Sequence, residues 1–126
     1  MTGERILVVE DNELNMKLFR DVLVATGYRT LEATSGGEAV ELATEHAPDL
    51  VLMDVQLPDF DGVQALGRLR ANERTAAIPV LALTAQAMDG DRERFLAAGF
   101  DGYLSKPVNV RELIDTVRLH CDGGAR

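Results

Sequence analysis

The chain has 126 residues, the usual size of one domain, and 46% of them are hydrophobic, which is enough for an ordinary core. The formal net charge of −8 argues against a nucleic-acid-binding surface and against contact with an anionic membrane. Solubility explains most of this charge, and a local acidic site that binds a cation is the alternative. The single cysteine, Cys121, rules out an intrachain disulfide, and the apolar stretch near the N-terminus is too short for a signal peptide or membrane span. These features predict a cytoplasmic protein.

Apolar runs alternate with helical patterns along the whole chain. The predicted strands are Arg5–Val9, Arg29–Ala33, Leu50–Met53, Val80–Leu83 and Gly102–Leu104. The predicted helices are Leu14–Thr26, Gly36–His46, Gly62–Asn72, Gln86–Ala98 and Val110–Cys121. Five strand–helix units in this length predict an α/β fold, a doubly wound parallel sheet with helices on both faces. Residues 122–126 are expected to form a frayed, flexible C-terminal tail.

Local signals mark the ends of several helices. Gly27 and Gly99 are placed to end the first and fourth helices, since glycine adopts the left-handed conformation that follows a helix. Capping-box spacing occurs twice, from Ser35 to Glu38 and from Asn109 to Glu112. These signals support the predicted helix boundaries.

Hydrophobic patterning predicts how the elements pack. The continuous apolar runs at 6–9, 50–53 and 80–83 indicate central strands buried on both faces, and the alternating run at 30–33 indicates an edge strand. In the first helix, one apolar stripe is expected to face the sheet, and it consists of Leu14, Leu18, Val22 and Ala25.

Polar side chains stand at the carboxyl ends of four predicted strands. Glu10 and Asp11 follow the first strand, Asp54 closes the third, Thr84 closes the fourth, and Lys106 follows the fifth. Each residue alone is ordinary, because acids and threonines often cap helices and most lysines are solvated. Together they are less ordinary, since the carboxyl ends of parallel strands meet at one edge, where such sheets bind ligands. The fold rule therefore predicts three acids, a hydroxyl and a cation around one cleft.

This set of residues suggests phosphoryl chemistry. Clustered carboxylates favour a hard divalent cation, and Mg²⁺ prefers a few carboxylates plus waters. Asp54 can bind the metal through one oxygen and attack phosphorus with the other, since carboxylates form aspartyl-phosphates. Lys106 can place its charge on one phosphoryl oxygen, and the Thr84 hydroxyl can donate to another.

The order of these motifs resembles the receiver domain of two-component response regulators. An acidic pair comes first, then Asp54 before x-x-x-Pro-x-x-x-Gly, then Thr84-Ala85, then Lys106-Pro107. The resemblance covers residues 4–121, and the stretch at 9–19 is most similar to DivK-type single-domain regulators. It implies a (βα)5 flavodoxin-like or CheY-like fold, with a five-stranded parallel sheet of order 2-1-3-4-5.

The resemblance also implies roles for individual residues. Asp54 would be the phosphoacceptor, and Asp11, Asp54 and the backbone carbonyl of Gln56 would hold Mg²⁺. Many receivers have Asp where Glu10 stands, so Glu10 would contact the metal weakly or through water. The peptide bond before Pro107 would be cis.

Further implied roles concern switching and dephosphorylation. Thr84 and Tyr103 would form a switch pair, in which the hydroxyl moves to the phosphoryl group and the ring turns inward. A half-buried sheet aromatic is the simpler interpretation of Tyr103. Gln56 and Gln86 would tune hydrolysis of the phosphoryl group, with plain loop polarity as the alternative.

The implied function is that of a phosphoacceptor signalling protein, not an enzyme, apart from self-catalysed phosphorylation and dephosphorylation. A histidine kinase would phosphorylate Asp54, and neither His46 nor His120 is expected to be the donor. The response would change a surface of the fourth helix, fifth strand and fifth helix, for which the candidates are Arg92, Phe95, Phe100 and Val110. Because the chain stops after the fifth helix, we expect no output domain and a monomer or weak dimer.

The expected output is therefore contact with other proteins. The DivK resemblance favours regulation of cell-cycle or cell-division histidine kinases. A chemotaxis-like or relay receiver that binds a motor, an adaptor or a phosphotransfer protein is the alternative.

Three other classes fit the sequence less well. A flavodoxin-like nucleotide binder would need a phosphate-binding loop after the first strand, where this chain has Glu10-Asp-Asn-Glu13. A haloacid-dehalogenase-type phosphatase would need a second Asp at position 56, where this chain has Gln56. A receiver fold that only binds partners would not need the intact set of site residues.

Overall fold

The computed structural model describes residues 3–57, 62–85 and 91–121, with the side chains of residues 91 and 92 outside the description. The strands are β1 (Arg5–Val9), β2 (Arg29–Ala33), β3 (Leu50–Asp54), β4 (Val80–Thr84) and β5 (Gly102–Ser105). The helices are α1 (Glu13–Thr26), α2 (Gly36–His46), α3 (Gly62–Ala71), α4 (Asp91–Ala98) and α5 (Val110–Cys121). The predicted elements are confirmed to within a few residues. The predicted start of the fourth helix, at Gln86, lies outside the described residues.

All neighbouring strands pair in parallel, in the order β2-β1-β3-β4-β5. This is the predicted order, and it places β1 and β3 side by side near the centre of the sheet. Each strand is joined to the next one along the chain by a helix, as parallel strands require. The carboxyl ends of all five strands therefore lie along one edge. No helix in the described parts of the chain is long and apolar enough to cross a membrane.

The apolar strand residues divide between two cores by strict alternation. In β1, Leu7 and Val9 face one core, and Ile6 and Val8 face the other. The first core is covered by α2, α3 and α4, and the second by α1 and α5. Burial on both faces is why β1, β3 and β4 have continuous apolar runs instead of alternating ones.

The helix ends follow the predicted signals. Gly27 and Gly99 have φ values of 108° and 112°, in the left-handed region that glycine adopts without strain. The backbone N–H of Glu38 donates to the Ser35 hydroxyl at 3.2 Å, and that of Glu112 donates to the Asn109 side chain at 3.1 Å. Both predicted N-caps are confirmed.

Of the predicted buried stripe of α1, only Val22 is partly buried, against the second core. Leu14 is 79% exposed, Leu18 is 39% exposed, and Ala25 is also exposed. The helix instead buries the stripe of Met16, Phe19 and Leu23 against the sheet. Because α1 is apolar on more than one side, helical periodicity allows both stripes. The buried stripe is the one that contains Phe19, whose ring is among the largest fully buried side chains.

Two of the four predicted surface residues are also wrong. Phe95 and Phe100 are 3% and 2% exposed, and their rings pack edge to face with centroids 6.0 Å apart. Burial of such large apolar rings stabilises the folded protein more than their exposure to water would. Val110 is 45% exposed, as predicted, and the side chain of Arg92 lies outside the described residues.

Candidate functional site

Three carboxylates meet at the carboxyl edge of the sheet. Glu10 and Asp11 follow β1, and Asp54 is the last residue of β3. One oxygen from each lies within 4.8 Å of the other two. Glu10 and Asp54 are buried, whereas Asp11 is exposed. The predicted acidic cluster is thus assembled because β1 and β3 are neighbours in the sheet.

The Asp54 carboxylate is held by a different donor on each oxygen. Its Oδ1 accepts a hydrogen bond from the backbone N–H of Gln56 at 2.9 Å. Its Oδ2 accepts one from Nζ of Lys106 at 2.8 Å. The residue itself is 5% exposed and pairs with Leu83 of β4, so it belongs to β3 instead of following it. Backbone pairing and two hydrogen bonds therefore fix the position of this carboxylate.

Lys106 joins Asp54 to Glu10. Its Nζ lies 2.7 Å from Oε1 of Glu10, and its side chain is only 17% exposed. The backbone N–H of Lys106 donates to the carbonyl of Thr84 at 2.7 Å, which places the lysine directly beyond β5. The Lys106–Pro107 peptide bond is cis, as predicted. The cation thus comes from a segment that the sheet brings next to the acids.

Glu10 has the most perturbed environment of the three acids. Its Oε2 accepts a hydrogen bond from the backbone N–H of Asn12 at 3.1 Å. Its Oε1 contacts Lys106 as an ion pair but has no aligned hydrogen-bond donor among the described residues. Burial raises the pKa of Glu10, and the charge of Asp54 adds to this, although Lys106 and Asn12 oppose both.

The pKa of Lys106 is also raised above its ordinary value. Burial alone would lower it, but the hydrogen bond to Asp54 and the close negative charges of Asp54 and Glu10 together outweigh burial. The ammonium group is therefore kept protonated at neutral pH. With one buried cation between two buried acids and Asp11 beside them, the site holds more negative than positive charge.

The residues at this edge fit a magnesium ion. Three carboxylates converge within 4.8 Å, and Oε1 of Glu10 lacks an aligned donor. Mg²⁺ prefers hard oxygen ligands and keeps several waters. The exposed position of Asp11 leaves one side of the cluster open to water. The predicted metal ligands therefore lie together, with Gln56 two positions after Asp54 and hydrogen-bonded to its carboxylate.

Thr84 and Tyr103 lie on neighbouring strands. Thr84 is the buried last residue of β4, and Tyr103 of β5 pairs with Ala82. Since alternate strand residues share a face, Thr84 and Tyr103 lie diagonally on the same face. The Tyr103 ring is half-buried and lies 5.9 Å from the ring of Phe95, which confirms the sheet-aromatic interpretation.

The other predicted site residues are dispersed or lie outside the description. Gln56 is exposed beside Asp54, and Gln86 lies outside the described residues. His46 is at the surface, with Nε2 3.5 Å from a carboxylate oxygen of Glu45. His120 is half-buried, and its Nδ1 lies 3.0 Å from the carbonyl of Thr116. His46 therefore lies at the surface, and His120 packs on its own helix.

Sequence reasoning missed two features of the site. The first is the direct contact of Lys106 with Glu10, which no local pattern reveals because 96 positions separate them in the numbering. The second is the close approach of Gly62 to the backbone of Asp54. The glycine itself was part of the motif Asp54-x-x-x-Pro-x-x-x-Gly that carries the family resemblance, but its packing against the strand was not predicted.

Comparison with known proteins accounts for this arrangement. The model of the response regulator receiver domain family matches residues 6–118. The chain belongs to the response regulator receiver domain family. The polar-differentiation response regulator DivK of Brucella ovis is 50% identical over 115 residues, which are 91% of this chain and 94% of that protein.

Solved receiver domains have the same fold. One is the receiver domain of the sensor histidine kinase PA1611 from Pseudomonas aeruginosa PAO1, with a magnesium ion coordinated in its active site cleft. It is 40% identical with a TM-score of 0.85, over 93% of this chain and 96% of that one. The chemotaxis response regulator CheY4 of Vibrio cholerae is 26% identical with a TM-score of 0.88, over 94% and 99% of the two chains. The chain is thus a receiver domain of two-component signalling.

Proposed function

We propose that Asp54 accepts a phosphoryl group from a phosphohistidine of a histidine kinase, with Mg²⁺ bound at the same edge. The observation that carries this proposal is the Asp54 carboxylate itself. It is buried at the end of β3, it is 2.8 Å from the Lys106 ammonium, and two further acids converge on it. A buried nucleophile beside a cation and a cluster of hard oxygen ligands suits phosphoryl transfer. We assign residues 4–121 to this domain and place the reaction in the cytoplasm.

Four groups would hold the metal. Asp11, Asp54 and the carbonyl of Gln56 would bind it directly, and Glu10 would act through water. When bound, Mg²⁺ neutralises charge on the phosphoryl oxygens. Glu10 then balances the charge of Lys106 when Asp54 is occupied, which its 2.7 Å contact with the ammonium allows.

The transfer itself exchanges one bond for another. A carboxylate oxygen of Asp54 forms a bond to phosphorus while the bond between phosphorus and the donor imidazole nitrogen breaks. The imidazole leaves with the electron pair of that bond and takes up a proton from solvent. Lys106 places its charge against one phosphoryl oxygen, and the Thr84 hydroxyl donates a hydrogen bond to another.

The phosphorylated form would differ from the free form at a surface of this same domain. Movement of the Thr84 hydroxyl toward the phosphoryl group would vacate space on the face that it shares with Tyr103. The Tyr103 ring, now half-buried, would turn into that space. The surface of α4, β5 and α5 would then change, and its exposed apolar residues include Leu96, Val110 and Leu119.

The donor protein would approach along α1. Leu14 and Leu18 are exposed on this helix, directly after the acidic pair. A cleft that opens beside Glu10 and Asp11 is lined on its other side by Lys17 and further α1 and β2 residues. An exposed apolar patch next to a reactive group favours a docking partner with its own apolar face.

The proposed targets are cell-cycle or cell-division histidine kinases. This rests on relatives named as polar-differentiation response regulators, which are 50% identical over 91% of the chain. A relay or chemotaxis-like receiver that binds a phosphotransfer protein, motor or adaptor is the second candidate. It is supported by the 40% identity to the receiver domain of a sensor histidine kinase.

Acetyl phosphate with Mg²⁺, followed by intact mass spectrometry, tests the phosphoacceptor. We expect a mass gain of one phosphoryl group in the wild type, none in Asp54→Asn, and an unchanged gain in Asp115→Asn, which removes an exposed carboxylate from α5. A gain that survives Asp54→Asn would assign the phosphoryl group to another residue. No gain in a folded wild type that binds Mg²⁺ would contradict the proposal.

Capture experiments separate the two candidate outputs. Phosphorylated wild type and Asp54→Asn serve as matched baits in a lysate of the native organism. Phosphorylation-dependent capture of histidine kinases supports kinase regulation. Capture of a motor, an adaptor or a phosphotransfer protein supports the second candidate instead.

A further inference from the structure

Gly62 packs directly against the backbone that carries the Asp54 carboxylate. It is the first residue of α3 and is buried. Its backbone N–H donates to the carbonyl of Val55 at 2.9 Å. A Cβ at this position would lie 2.6 Å from the carbonyl oxygen of Asp54 and 2.8 Å from Cα of Val55. Both contacts are far inside the 3.4 Å at which ordinary van der Waals contact begins.

The groups that such a Cβ would meet cannot rotate away. The two closest atoms belong to the backbone, whereas the third, Cγ of Met53 at 3.2 Å, is on a flexible side chain. The strand end is fixed from its other side, because the N–H of Val55 donates to the carbonyl of Leu83 at 3.0 Å. Helix α3 is fixed by Leu66, which is fully buried. A side chain at Gly62 would therefore push the end of β3 and the start of α3 apart.

The displaced backbone is the part that orients the site. The N–H of Gln56 holds Oδ1 of Asp54 at 2.9 Å, across the same short turn that Gly62 contacts. We infer that Gly62 is a positioning residue, whose missing side chain lets α3 set the turn at 54–56 and thereby the direction of the Asp54 carboxylate. This inference rests on the proposed function of Asp54, since the turn also bears the Gln56 carbonyl that would bind Mg²⁺.

The helix provides a matched glycine for comparison. Gly67 lies in the same helix and is exposed, and a Cβ added there would meet nothing within 4 Å. Gly67→Ala should raise the urea midpoint of unfolding, since alanine restricts the unfolded chain. It should leave the turn at 54–56 where it is. Gly62→Ala makes the same chemical change at the other glycine of α3, where the added methyl group would clash with the backbone of Asp54 and Val55.

The test measures three properties of Gly62→Ala in the Gly67→Ala background, which offsets part of the destabilisation. The first is Mg²⁺ affinity by calorimetry, the second is the phosphorylation rate with acetyl phosphate, and the third is the ¹H–¹⁵N resonance of Gln56 without metal. We expect the affinity and rate to fall about 10- to 100-fold, as for other residues that orient metal ligands. The Gln56 amide proton should move upfield and exchange faster, because it loses its bond to Asp54.

A second destabilised variant separates positioning from loss of stability. Leu69→Ala removes a buried side chain from the same helix, away from Asp54, and should lower the urea midpoint of unfolding because it leaves a cavity. In the same background and per folded molecule, it should keep wild-type Mg²⁺ affinity and phosphorylation rate. Equal losses in Leu69→Ala and Gly62→Ala would overturn the inference, since instability would then explain both.

Two further results would also count against a positioning role of Gly62. Mg²⁺ affinity and rate within twofold of wild type, with the Gln56 amide unmoved, would overturn the inference. So would a Gly62→Ala chain that stays unfolded in the stabilised background, because the glycine would then serve folding as a whole. If the wild type binds no phosphoryl group at all, the proposed function fails, while the metal-free Gln56 resonance still decides the role of Gly62.

Discussion

The two edges of the sheet each hold a half-buried basic side chain, but in opposite electrostatic settings. At the carboxyl edge, Lys106 lies between Glu10 and Asp54, and Asp11 adds a further negative charge. At the amino edge, Arg70 of α3 contacts one carboxylate among the described residues, that of Asp101, at 2.9 Å. Acids therefore outnumber the cation around Lys106, whereas Arg70 and Asp101 form a one-to-one ion pair.

Arg70 is satisfied almost entirely by backbone carbonyls. Its Nη1 donates to Ala76 at 3.0 Å and to Ile78 at 2.6 Å, and its Nη2 donates to Gly99 at 3.0 Å. The carboxylate of Asp101 also accepts from the N–H of Val80 at 2.8 Å. The arginine thus ties together α3 and the segments that enter β4 and β5. Such a fully paired network stabilises one conformation.

This difference indicates where chemistry and where stability reside. A buried polar group with balanced partners gains nothing from a ligand, whereas an excess of buried negative charge is relieved by a cation. Perturbed groups such as Glu10 concentrate at functional sites for this reason. We therefore expect substitutions at the carboxyl edge to change ligand binding and phosphorylation, and substitutions at the amino edge to change stability alone.

The largest expected effect is that of Lys106→Met. Removing one charged donor from a developing phosphoryl charge should slow phosphorylation by acetyl phosphate by about 100-fold or more. Mg²⁺ should bind no more weakly than in the wild type, because the variant loses a cation that repels the metal. Timed intact-mass spectra and calorimetry measure the two effects. A normal phosphorylation rate, or a large loss of Mg²⁺ affinity, would contradict the role assigned to Lys106 at the carboxyl edge.

At the amino edge, Arg70→Met should lower the free energy of unfolding by about 2–3 kcal/mol. The loss reflects hydrogen bonds of a charged donor to carbonyls that are left without it. Urea denaturation measures the change, and Arg118→Met, at an exposed position of α5, should change stability by less than about 0.5 kcal/mol. Below its unfolding transition, Arg70→Met should still be phosphorylated at the wild-type rate. A slower rate would mean that the two edges are coupled.

The smallest effect is expected for Glu10→Gln without metal. Removing one of the crowded charges should raise the free energy of unfolding by about 1 kcal/mol, measured in a chelator, and should weaken Mg²⁺ binding. Because the folded state raises the pKa of Glu10 above 4.5, folding favours its protonated form. The stability linked to this proton is fully present below pH 4.5 and is lost as pH rises through the folded pKa. The advantage of Glu10→Gln should therefore grow from acidic to neutral pH, and a constant difference would contradict this account.

Local patterns in the sequence were sufficient for the secondary structure. The apolar runs of β1, β3 and β4, the caps at Ser35 and Asn109, and the glycines after α1 and α4 are all short-range signals. The candidate site residues could be predicted for a related reason. Parallel strands bring their carboxyl ends to one edge of the sheet, so the polar residues at those strand ends are the candidates for the site.

Packing preferences were less accessible from the sequence. The stripe of α1 that begins with Leu14 and Leu18 was as regular as the one that contains Phe19, yet only the latter is fully buried. Phe95 lies on a short helix with a weak hydrophobic pattern, so its burial under Phe100 and Tyr103 was not visible in advance. In both cases the outcome depends on which neighbouring surface the helix meets.

The order of elements, the sheet-edge location of the site and its candidate residues Asp11, Asp54, Thr84 and Lys106 could therefore be predicted from the amino-acid sequence. The contacts of Lys106 with both Glu10 and Asp54, and the packing of Gly62 against the backbone of Asp54, depend on the tertiary structure. The physical reason is the sequence separation over which each interaction acts. Caps, turns and periodicity act over a few residues, whereas these contacts join segments that only the folded sheet brings within a few ångströms.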